Sequence, residues 1–173
     1  VNLGNALGTS LLWFFLTFGL GVDDPDDDLL LVSAVYMLFV IASAFLSGAL
    51  SDRIARRKPF VLAAGLAQGI AALCIAAQAD LTMTMVAAAF LGAGFGAFLG
   101  VDQALATQVL PDPDHNGQDL GIMNIAMAVP QALGPLVGAL VVEATGGFTG
   151  LFIASAVLGI LGGLAVLLVR SVR

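Results

Sequence analysis

The chain has 173 residues, of which 60% are hydrophobic and only 10% charged, and its mean hydropathy is +1.04. A water-soluble domain has no interior large enough to hide that much apolar surface, so the composition excludes a soluble enzyme or binding module and indicates a membrane protein. The net charge of −6 comes mainly from one acidic loop and gives no reason to expect a nucleic-acid partner.

Six apolar runs reach the roughly 20 residues that cross about 30 Å of hydrocarbon, at about 3–22, 29–50, 59–79, 82–107, 120–142 and 148–169. None alternates like a barrel strand, and helices then remain the way to satisfy the backbone in lipid. The expected fold is all-α, one six-helix transmembrane domain over residues 1–173.

The first run starts at Val1 without a basic leader or a small-residue cleavage site, which reads as a piece of a longer chain rather than a signal peptide. Its polar residues Asn2, Asn5, Thr9 and Trp13 fall at helical spacing and form one stripe. The stripe either lines a path or bonds to a neighbouring helix. The aspartates that follow, Asp23, Asp24, Asp26, Asp27 and Asp28, read as a solvated turn, with a cation-binding loop as the alternative and Pro25 ending a helix.

After the second run comes "GALSDRIARRK", with four of the six basic residues: Arg53, Arg56, Arg57 and Lys58. The others, Arg170 and Arg173, follow the sixth run, whereas Asp80 and Glu143 join the aspartates on the opposite side. Basic residues are retained on the cytoplasmic side, so both termini and this loop are expected there, in a cytoplasmic membrane of bacterial type. Cys74, in the third run, is the sole cysteine and supports neither a disulfide nor a thiolate metal site.

Glycines recur every four residues in the fourth run, at Gly92, Gly96 and Gly100, and in the third at Gly65 and Gly69, the spacing of close helix contacts. Asp102 is the acidic residue inside a run. It lies about 5 residues, roughly 8 Å, from the cytoplasmic end, near the depth of Arg53 and Arg56. A salt bridge closing an inner gate is the simpler reading, and a proton-coupling carboxylate the other. Asp52 suits a neighbouring helix N-terminus, and Asp119 an arginine or its own helix cap. The fifth run holds Asn124 and Gln131 beside Pro130 and Pro135, with Gly134 and Gly138; the sixth offers nothing more polar than Ser155. His115 lies alone in a loop, and no phosphate-binding motif is present, so no catalytic residue, metal site or cofactor is assigned.

The loop after the second run resembles the signature loop of the major facilitator superfamily, G-x-x-x-D-R-x-G-R-R. Gly48, Asp52, Arg53, Arg56 and Arg57 match, and Ala55 replaces the second glycine. The segment containing Gly134, Pro135 and Gly138 is similar to the G-x-x-x-G-P-x-x-G-G pattern in the amino-terminal half of drug–proton antiporters. The fourth run lacks the arginine common in amino-terminal halves, which favours the carboxy-terminal half. The resemblance implies half of a secondary transporter, a permease moving a small solute by alternating access. First, second, fourth and fifth helices would line the path, with Asn5, Thr9, Trp13, Asn124 and Gln131 as candidates. Arg53, Arg56 and Arg57 would pair with Asp102 or Asp119 at the gate. The expected partners are the lipid bilayer, a small-molecule substrate and the other six-helix half or a second copy. The alternative is a non-transporting membrane scaffold or assembly protein.

Overall fold

A computed structural model describes residues 1–54, 57–77, 80–109 and 116–168, and side chains for these except 102–109, 116–120, 123 and 168. The described residues are helical, without strands. Five helices are long and apolar enough to cross a membrane, six if a bent pair at the start counts as one. That pair is α1 (Asn2–Ser10) and α2 (Leu12–Phe14), the latter running on as a π-helix over Phe15–Leu20. Then come α3 (Pro25–Ile54), α4 (Lys58–Ala77), α5 (Leu81–Val109), α6 (Asn116–Thr145) and α7 (Phe148–Ala165), closed by a 3-10 turn, Val166–Leu168.

The first span is not continuous: its two pieces meet at 41° around Leu11. No proline is involved. The run Gly8, Thr9, Ser10 is made of weak helix formers, and the Thr9 hydroxyl donates to the Asn5 carbonyl at 2.9 Å, a back-bond that bends helices. Pro25 begins α3 and does not end the helix before it, which corrects the sequence expectation. Its fixed φ suits a first helical position, the Asp28 N–H donates to the Asp24 carbonyl at 3.1 Å, and three aspartates occupy the first turn where the dipole favours them. Asp80 caps α5, accepting the Met83 N–H at 2.7 Å. The two-residue link from α6 to α7 depends on Gly146 at φ +74, with the Gly147 N–H donating to the Val142 carbonyl at 3.1 Å.

The helices form two groups of three. In one, α3 and α4 both pack on α5; in the other, the first span, α6 and α7 pack together. An extensive α4–α7 contact joins the groups, whereas the first span touches α3 and α5 only thinly. Small residues set these distances. A Cβ on Gly65 would stand 2.6 Å from both the Gly159 carbonyl and the Gly163 Cα, and one on Gly100 would stand 2.5 Å from the Ala44 carbonyl. Gly92 and Gly96 likewise meet the backbones of Tyr36 and Val40. Between the groups Phe15 fills the space against Phe152, their rings 4.8 Å apart and edge to face. α3 and α6 are left largely uncovered: only 6% and 11% of their membrane-crossing stretches are buried, against 56% for α5.

Candidate functional site

The thin contact between the first span and α3 leaves a cleft of about 220 Å³ beside the break at Leu11, toward the acidic end of the bundle. Thr9 and Leu12 form one wall and Ser33 and Tyr36 of α3 the other, with Thr84 and Leu91 of α5 behind them. Among the described residues no ionisable side chain other than the Tyr36 phenol lines it. The Tyr36 hydroxyl donates to Asn5 Oδ1 at 3.2 Å, tying α3 to α1, and the Thr84 hydroxyl donates to the Asp80 carbonyl at 2.7 Å. Asn5 is 6% exposed, so its amide oxygen needs that partner.

The structure brings the expected path residues to three different places. Asn5 is buried under the cleft and Thr9 lines it. Trp13 lies past the break, more than a third exposed, its indole N–H donating to Asp26 Oδ1 at 2.8 Å across the acidic end. Trp13, Phe14 and Phe18 form an uncovered aromatic cluster there. Asn124 and Gln131 are exposed on α6, on the side of the chain left uncovered. Pro130 and Pro135 lie inside α6, which runs through both. Gly134 and Gly138 approach the first span, at Ala6 and Leu11.

At the basic end, Arg57 Nη2 meets Asp52 Oδ1 at 3.6 Å just ahead of α4. The Asp52 side chain is 70% exposed and the pair screened, so it contributes little to stability. Arg57 Nη1 is buried and has no hydrogen-bond partner among the described residues. Arg53 is exposed, and Gly48 lies 3.6 Å from the Gly100 carbonyl, by the measure of an added Cβ. Arg56, His115, Arg170 and Arg173, and the side chains of Asp102 and Asp119, lie outside the described residues.

Sequence reasoning did not single out Ser33, Tyr36 or Thr84. Each stands alone in an apolar run, and no local signal says which helix it faces. It also passed over Gln68 of α4, which is 2% exposed with both amide atoms unpartnered among the described residues. Among the described residues no group of three His, Cys, Asp or Glu side chains could hold a metal ion; the aspartates start a helix. A family model described as Major Facilitator Superfamily matches residues 1–173. No curated protein matches the chain.

Proposed function

The chain belongs to the major facilitator superfamily, whose model spans it from residue 1 to 173, and from that premise we propose that it forms half of a secondary transporter working by alternating access. It is an integral membrane protein of transporter type, its apolar helices in contact with lipid. The observation that carries the proposal is the broken first span with a hydroxyl-lined cleft beside it, in a bundle whose other contacts are closed by glycine. Non-helical backbone at membrane depth is tolerated where it lines a cavity.

In this reading the uncovered faces of α3 and α6 meet a second six-helix unit, the other half or a second copy. Asn124 and Gln131 then turn toward a shared aqueous path with Thr9, above the Asn5 amide. Arg53, Arg56 and Arg57 close the inner gate against Asp102 or Asp119, and the buried, unpartnered Nη1 of Arg57 supports a carboxylate arriving there. The half is the carboxy-terminal one, with both termini in the cytoplasm of a bacterium.

The test is thiol accessibility in sealed vesicles. Asn124→Cys and Gln131→Cys are expected to react with a membrane-impermeant methanethiosulfonate, as residues beside water do. If both stay unreactive while a cysteine at Asp26 labels, these amides lie in lipid or in a dry contact. The chain is then a membrane scaffold that kept the family architecture without a path.

A further inference from the structure

The hydroxyls around the cleft have an unusual donor balance. A hydroxyl carries one proton and two lone pairs. Thr9, Tyr36 and Thr84 each spend that proton inside the protein, on the Asn5 carbonyl, the Asn5 side chain and the Asp80 carbonyl respectively. What they keep is acceptor capacity. Ser33, half-buried on the facing wall, makes no hydrogen bond among the described residues. The rest of the lining is apolar, and no carboxylate, ammonium or guanidinium of the described residues reaches it. At about 220 Å³ the cleft lies below the roughly 300–1,000 Å³ of pockets that take drug-sized ligands.

We propose that this cleft, formed by the first span, α3 and α5 within one six-helix unit, is a binding site for a small uncharged solute that pairs an apolar body with an O–H or N–H donor. The donor meets the Tyr36 and Thr9 oxygens, and the apolar body packs against Leu12 and Leu91. A cation or carboxylate entering here loses its hydration without gaining an opposite charge, so the cleft rejects both. The inference rests on the transporter reading for its biological meaning. Its geometry, however, uses neither Asn124 nor Gln131 and does not require the second unit.

The experiment measures equilibrium protection, separately from flux. In the intact protein in native membranes, with Cys74→Ala as background, Ser33→Cys is modified by N-ethylmaleimide in the presence of benzyl alcohol, benzylammonium or benzoate. These probes share a ring and differ in charge. Benzyl alcohol at twice its dissociation constant is expected to slow the reaction about threefold. Benzylammonium and benzoate are expected to leave it unchanged. Tyr36→Phe, which keeps the ring and removes the acceptor, is expected to weaken the protection at the same probe concentration, and Thr84→Val, behind the cleft, to weaken it less. Equal protection by all three probes would mean that the site does not exclude charge, and protection by benzyl alcohol that Tyr36→Phe leaves unchanged would mean partition into lipid; either would overturn the proposal. So would protection by none, or a Ser33→Cys thiol that never reacts. Selective protection with Asn124→Cys and Gln131→Cys unreactive would keep the site and discard the transport path, so the two failures are distinguishable.

Discussion

Two seams run between the three-helix groups, and they are built in opposite ways. Along α4–α7, a methyl added to Gly65 would strike the backbone of Gly159 and Gly163, and one added to Gly69 would strike the Ile160 side chain. Along the line between the first span and α3, the helices separate around a cleft, and two side-chain hydrogen bonds are described across it, Tyr36 to Asn5 beside the cleft and Trp13 to Asp26 at the acidic end. In lipid no hydrophobic force favours one apolar contact over another, so dispersion at close range and buried hydrogen bonds decide which seam holds. The comparison teaches that the α4–α7 seam is the fixed joint and the α1–α3 seam the one with room to change.

The largest expected effect breaks the fixed joint. Gly65→Val puts side-chain carbon where the Gly163 backbone stands, and forcing the helices apart costs about 1–3 kcal/mol or more. Gly8→Ala, on α1 at the cleft, meets only the Ser155 hydroxyl at 3.3 Å and should cost far less. Fractional unfolding in mixed dodecyl sulfate micelles compares the two. The Gly8 methyl points at α7 and not at α3, so equal losses would mean that the α4–α7 joint is no tighter than the contact between α1 and α7.

A second prediction has the opposite sign. Gln68 lies in the tight region of α4, with its Cβ 3.6 Å from the position of a Cβ on Gly159 and neither amide atom paired among the described residues. Replacing a buried unsatisfied amide by an apolar side chain of similar length removes a desolvation cost of about 1–3 kcal/mol. Gln68→Met is expected to raise stability in the same assay. A loss would mean that the amide has a partner such as a bound water.

Smaller effects are expected on the open seam. Tyr36→Phe removes the bond to Asn5, and interhelical hydrogen bonds in membranes average about 0.6 kcal/mol. It should destabilise by that order and, by loosening the seam, raise the thiol reactivity of Ser33→Cys in the absence of any probe. The smallest change is Trp13→Phe. It removes an exposed hydrogen bond to Asp26 and is expected to cost about 0.5 kcal/mol or less, read by the same unfolding assay. A larger loss would make the acidic end part of what holds the first span.

The helical bundle was legible because a span announces itself by length. Runs such as 59–79 and 148–169 can satisfy their backbone in lipid only as helices, and α4 and α7 are the helices of these two stretches. The break at Leu11 was not legible, because its cause is a hydroxyl back-bond and a run of weak helix formers rather than a proline. Pro25 was read in the wrong direction, since proline can end one helix or begin the next and only the aspartate turn around it decides. For the site, spacing put Thr9 on a polar stripe. The wall opposite it depends on how α3 rotates about its axis, and a helix as evenly apolar as α3 gives no such signal around Ser33 and Tyr36. Trp13 shows the limit of the stripe argument, because the bend carries it away from Asn5 and Thr9 to the acidic end.

The α4–α7 joint also sets an order of events during biogenesis. Helices α3 and α4 both pack on α5, so this group can settle once α5 has left the translocation machinery. Gly65 must wait for Gly163, its backbone neighbour across the joint, until α5 and α6 have been inserted and α7 has followed. Until then the small-residue face of α4 stands open in the membrane. Arrival of α7 closes it, so the joint that fixes the finished bundle also marks a nascent chain as complete through its sixth span.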